Sequence, residues 1–201
     1  MAEKVKFGLS NVYVALRKDT GDAITYEKPV AVPGAINASI TRNSDQNILY
    51  ADNKAYFVAN KKSSQEIELE VADIARDILI GYLGYIKSSN GSLLETDATV
   101  TPHFALMFQI ETDEKSRKIR YYNCTAVEAD EEYSTSEETI DPTTSTMNVT
   151  STGETIGDYN VFREIAQTGD KNYDDFFTTV ALPAAAELNG LSMDNPTKAV
   201  I

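Results

Sequence analysis

Between residues 63 and 73, in SSQEIELEVAD, acidic and apolar residues alternate without a break. Successive side chains of an extended strand take opposite faces. Glu66, Glu68 and Glu70 therefore share one face, and Ile67, Leu69 and Val71 the other. The apolar row demands a core. The acidic row demands solvent or a channel.

The same two-residue period recurs along most of the chain. VYVALRK (12–18), AITYE (23–27) and AINASIT (35–41) read as strands separated by turns, the last with Ile36, Ala38 and Ile40 on one face. AYFVAN (55–60) reads as a strand, the polar stretch RNSDQNILYADN (42–53) as a turn-rich loop, and KKSS (61–64) as a turn before the acidic strand. FALMFQIE (104–111) and RKIRYYNCTAVEAD (117–130) predict a hairpin around TDEKS (112–116). In its first strand Phe104, Leu106, Phe108 and Ile110 face one way, and Ala105, Met107, Gln109 and Glu111 the other. TSTMNVTST (144–152) and YNVFREIAQ (159–167) supply further strands, and FFTTVALP (176–183) ends the ordered pattern.

One segment changes period. Ile74, Ile78 and Tyr82, with Ala75, Leu79 and Leu83, recur at i, i+4, i+8, the stripe of a helix with one apolar side. The spacing predicts a helix over about 73–86, with Asp73 at its N-cap and Gly84 helping to end it. The class is α+β, mainly β: a sandwich-like arrangement of strands flanked by one helix. Residues 1–183 form one domain, and 184–201 a C-terminal arm.

Composition narrows the chemistry. Eighteen basic against 31 acidic residues give a formal net charge of −13, which opposes tight binding of nucleic acid, where cations must displace phosphate counterions. The same charge suits a surface that DNA passes without sticking. The single histidine, His103, excludes a multi-histidine metal site, and the single cysteine, Cys124, has no partner for a disulfide or a zinc site. DKNYD (170–174) opens like a calcium loop, but Asp175 stands where glycine is needed and Ala181 where glutamate is needed, so it reads as a turn. The acidic connector 128–138 reads as a solvated surface. No cofactor site and no catalytic constellation emerge. No apolar run is long enough for a membrane anchor, since ILIGYLGYI (78–86) falls short of a span. No secretory signal opens the chain, so synthesis in a cytoplasm is expected.

An ordered series of short strings carries a family resemblance: FGL (7–9), YEKPVAVPGA (26–35), YADN (50–53), IELEV (67–71), FALMF (104–108) and YYNCTA (121–126). In this order and spacing the chain resembles the major tail protein, or tail tube protein, of long non-contractile phage tails, above all those of phages of Gram-positive hosts. The resemblance implies a β-sandwich flanked by a helix, assembling with itself into hexameric rings that stack into a tube for DNA ejection. It implies virion localisation in the tail after synthesis in the bacterial host. The partners it implies are the tape measure, tail terminator and distal tail or baseplate proteins, with DNA only in transit.

The resemblance also implies a long loop, here about 41–64, that reaches the neighbouring ring. Asn47, Ile48, Leu49 and Tyr50 put apolar groups into that loop, as a stacking contact requires. Glu66, Glu68 and Glu70 are expected to face the lumen. Lys61 and Lys62, or Lys115, Arg117, Lys118 and Arg120, are expected to meet acids such as Asp130, Glu131 and Glu132 of a neighbour. Two other functions stay open from the residues alone. One is a tube subunit of a contractile injection or secretion machine, which shares the fold. The other is a β-sandwich adhesin or carbohydrate-binding module, for which 11 tyrosines could serve although tryptophan is missing.

Overall fold

The structure is a computed structural model that describes residues 5–51, 54–97, 101–112, 114–129, 143–185 and 188. The chain opens with β1 (Lys6–Asp19), β2 (Ile24–Tyr26) and β3 (Val30–Ala31), followed by two long strands, β4 (Ala35–Ala51) and β5 (Lys54–Val71). A helical turn α1 (Arg76–Ile78) runs directly into a π-helical turn (Leu79–Leu83), and β6 (Ile86–Lys87) pairs with β7 (Leu93–Leu94). Next come β8 (Phe104–Thr112), β9 (Arg117–Glu128), β10 (Ser145–Ser151), β11 (Glu154–Ile156), β12 (Tyr159–Val161) and β13 (Arg163–Gln167).

Nine of these strands make one antiparallel sheet in the order β2-β1-β8-β9-β10-β5-β4, with β3 added to β1 and β13 to β9. The sheet does not close into a barrel within the protomer. One of its faces carries the main core. Ile67, Leu69 and Val71 of β5 are at most 1% exposed, and they meet Met147 and Val149 of β10 and Phe104, Leu106 and Phe108 of β8. Leu69 and its like each contribute about 1.5–3 kcal/mol by this burial.

The helical stripe covers that core. Ile74, Ile78 and Tyr82 are buried, and the Tyr82 ring meets Phe104 edge-on at 5.5 Å between centroids. The helical segment is shorter than its stripe. Ala75, not Asp73, occupies the N-cap and offers no side-chain hydrogen bond, which leaves the first turn uncapped. Gly84 ends the segment with φ +87°, a left-handed position that glycine fills without penalty.

A second, smaller core lies on the opposite face of the β1/β8/β9 half. Ala15, Ala105 and Met107 are fully buried there beneath Tyr13, Tyr26, Phe177 and Val180. Residues 173–181 thus form a strap across the back of this half-sheet. The other half, β9 to β4, carries no such strap among the described residues. The protein therefore has one sheet with two differently covered backs.

Candidate assembly surfaces

The uncovered back is where the acidic row stands. Glu66 and Glu68 are exposed and Glu70 is half-buried, opposite in phase to the buried Ile67, Leu69 and Val71. On one side Glu66, Glu68 and Glu70 pair with Thr41, Ser39 and Asn37 of β4. On the other side they pair with Thr150, Asn148 and Thr146 of β10. Thr125 and Val127 of β9 continue the rows. Four adjacent strands therefore present a band of hydroxyls and amides with carboxylates along its middle and no lysine or arginine in these rows. Asn43 donates to Glu66 at 2.7 Å and Thr144 donates to Glu70 at 2.7 Å. These bonds orient the carboxylates without neutralising them.

The expected loop 41–64 is not a loop. β4 and β5 continue past the sheet as a two-stranded hairpin, in register from Asn43↔Ser64 to Ala51↔Lys54. KKSS (61–64) is part of the continuous strand β5, not a turn. β10 pairs with β5 only from Gln65 to Val71, so beyond Gln65 the two strands pair only with each other among the described residues. About nine residues at ~3.3 Å each give an arm of about 30 Å. Ile48 stands across from Val58, and Leu49 from Phe57. Asn47 lies opposite Ala59, Tyr50 opposite Ala55, and Lys61 and Lys62 opposite Asp45 and Ser44. Tertiary pairing overrode the polar, turn-like composition of residues 42–53 here.

The remaining cations fall in different places. Lys115 is exposed and Arg117 half-buried in the β8–β9 hairpin. Lys118 and Arg120 point inward and are spent within the protomer. Lys118 Nζ donates to the Tyr173 carbonyl at 2.6 Å and sits 4.0 Å from the Tyr173 ring centroid. Arg120 donates to the carbonyls of Phe176 and Thr179 at 2.5 and 2.8 Å and forms a 3.0 Å ion pair with Glu164. Both hold the strap to the sheet. The alternation K-I-R-Y-Y already places them on the face opposite Ile119 and Tyr121; only the strap, which the aromatic pair Phe176–Phe177 hints at, explains why that face is buried. Asp130, Glu131 and Glu132 lie outside the described residues.

Two further polar networks are structural in character. Arg17 forks onto Glu154, with Nε to Oε2 at 2.9 Å and Nη2 to Oε1 at 3.1 Å, and the Tyr26 hydroxyl donates to the same carboxylate. Burial, and then the Glu154 charge, raise the Tyr26 phenol well above its ordinary value. Tyr122 is raised in the same direction by burial and by Glu164, to which its hydroxyl donates at 2.6 Å. Burial pushes the Cys124 thiol up to about 12, the opposite of an activated nucleophile. His103 Nδ1 lies 2.7 Å from Asn123 Oδ1 in an ordinary surface bond. Residues 170–174 form a turn. Among the described residues, no group of three or more His, Cys, Asp or Glu could hold a metal ion. No described helix is long and apolar enough to cross a membrane.

Among known families, the model described as phage tail tube protein matches residues 1–181. No curated protein matches the chain.

Proposed function

Since the chain belongs to the phage tail tube protein family, and is thus a structural component of a virion tail, we propose that it is the major subunit of the tube itself. Six copies close into a ring, rings stack into a tube, and DNA leaves the phage through its bore. The tape measure, terminator and distal tail proteins bound the tube at its inside and ends. The tail is of the long non-contractile kind.

The observation that carries this reading is the uncovered band of β9, β10, β5 and β4, with Glu66, Glu68 and Glu70 along its middle. Four strands from each of six copies, spaced ~4.8 Å and tilted ~40°, make a closed wall about 48 Å across at the backbone. Side chains leave a bore wider than a DNA duplex. A wall of carboxylates and hydroxyls repels phosphate and offers no cation to grip it. Closure also removes the open edge of β4, which otherwise invites uncontrolled pairing.

The arm supplies the stacking contact, through Asn47, Ile48, Leu49 and Tyr50. An isolated two-stranded hairpin is marginal in water, so a partner surface gives these residues a reason to be apolar. Lys61, Lys62, Lys115 and Arg117 contribute charge at ring contacts, with Asp130, Glu131 and Glu132 of a neighbour as their partners. Electron microscopy of the concentrated protein tests the whole reading. Rings or tubes with a central hole support it. A monomer that forms neither, even when supplied with its initiating tail-tip proteins, overturns it.

A further inference from the structure

Gln65 stands at the root of the arm, the last residue of β5 that β10 still pairs with. It is 5% exposed, and its Oε1 has no hydrogen-bond donor among the described residues. A buried acceptor left without a donor costs free energy of the order of a lost hydrogen bond. Gln65 lines a cavity of about 340 Å³, shared with Tyr159, Val161, Phe162, Arg163 and Leu188. Three of these six side chains are aliphatic or phenyl, Tyr159 is 37% exposed at the rim, and Arg163 has no ion-pair partner among the described residues. The cavity is therefore apolar-walled, with one acceptor at its base and one cation at its side.

We propose that this cavity is the receptor for the arm tip of a second copy of the chain. The inference rests on the ring-stacking reading and assigns its missing half, the surface that receives the arm. The arm tip has the matching chemistry: Ile48, Leu49 and Tyr50 are apolar, Tyr50 carries a hydroxyl donor, and Asp52 follows in the turn between β4 and β5. Tyr50 or a backbone N–H satisfies Gln65, and Asp52 meets Arg163. The geometry favours this occupant as well. The tip lies at one end of the arm and the cavity at its root, so tip-to-root docking is a heterologous contact. Such a contact repeats without closing on itself, and it sets successive copies apart by about one arm length, ~30 Å. A docking site placed anywhere else on the chain would not tie the repeat to the arm.

The test uses the full chain in two forms. A Tyr50→Cys/Tyr159→Cys protein is assembled, treated with a short bismaleimide and run on a denaturing gel. A ladder of dimers, trimers and higher multimers, seen in the double variant and in neither single variant, is the expected result. Tubes that form normally and give no ladder overturn the docking while leaving ring stacking intact. In that case a Met193→Cys/Tyr159→Cys protein that cross-links within one chain assigns the cavity to the chain's own C-terminal segment. Tubes absent from the unsubstituted protein as well count against the stacking reading, and the docking falls with it. Arg163→Glu should lower the yield of tubes at least tenfold, and Asp52→Arg in the same chain should restore it. A yield of tubes from Arg163→Glu equal to that of the unsubstituted protein also overturns the docking.

Discussion

Arg120 Nη2 donates to the carbonyl of Phe176 at 2.5 Å while its guanidinium carbon lies 4.2 Å from the centroid of the same residue's ring. One side chain thus binds the strap by its backbone and by its aromatic face. With Thr179 and Glu164 also on this guanidinium, the strap is fastened at one buried charge. Arg120→Met should keep the packed stem but strand those acceptors, at a cost of about 3 kcal/mol. Urea denaturation measures the loss, and limited proteolysis should show residues 173–181 cut faster than in the unsubstituted protein. An unchanged unfolding midpoint would contradict the fastening role.

Neighbouring residues of β5 should differ sharply in what they tolerate. Leu69 is fully buried and Glu68 is exposed. Leu69→Ala should cost about 3 kcal/mol, by lost transfer energy and by the cavity left behind. Glu68→Ala should fall within about 0.5 kcal/mol of the unsubstituted protein. Thermal unfolding of the two variants, read side by side, checks the alternation directly.

Charge on the uncovered band should govern contact with DNA. Replacing Glu66, Glu68 and Glu70 by Lys adds cations to a band whose rows hold none, with small effect on protomer stability. Duplex DNA should then bind at low salt and be released as salt rises. A gel-shift titration reads it, and the unsubstituted protein should show no shift. Equal behaviour of both proteins would remove the electrostatic argument for the band.

Alkaline pH should weaken the protomer through Cys124. Burial raises its pKa from 9.0 to about 12, so the folded state holds this proton more tightly than the unfolded chain does. The contribution is complete below pH 9 and is lost as pH rises through the window up to about 12. Within that window the thiol takes away about 1.4 kcal/mol per pH unit. Tyr26 and Tyr122, raised in the same direction, add to the loss above their ordinary value of 10.0. Cys124→Ala should flatten the stability–pH curve between pH 9 and 10, measured by urea titration at each pH. A parallel curve would place the thiol outside the core.

Changes at the arm should separate folding from assembly. Ile48→Ser with Leu49→Ser alters residues that pair only within the hairpin, so far-ultraviolet dichroism and the melting midpoint should stay put while tube formation slows. Tubes forming as readily as before would move the stacking contact elsewhere.

Much of the fold was legible in the period of the sequence. The alternation in residues 66–71 and 104–110 put the right side chains in the core, because a strand with one buried face cannot shift register by one residue. Ile36 escaped that pattern. A register shift between Ala35 and Asn37 turns it outward, and it is 51% exposed although Ala38 and Ile40 pack inward; a bulge leaves no mark in the apolar period. The helical stripe at Ile74, Ile78 and Tyr82 was read correctly, but its length was not, since a stripe shows which face is buried and not where the hydrogen bonds stop. The arm was hidden for a different reason. Residues 42–53 look like a loop by composition, and only their pairing with residues 54–64 makes them a strand. At the candidate site, the sequence showed which face Glu66, Glu68 and Glu70 share. It could not show that Lys118 and Arg120 are held by the strap, because that contact joins residues more than 50 positions apart.

The most direct measurement is a cryo-electron reconstruction of the assembled protein, resolved well enough to place β5. The account predicts a hollow tube of stacked rings with Glu66, Glu68 and Glu70 pointing toward its axis. A tube with these carboxylates on its outer surface would contradict it.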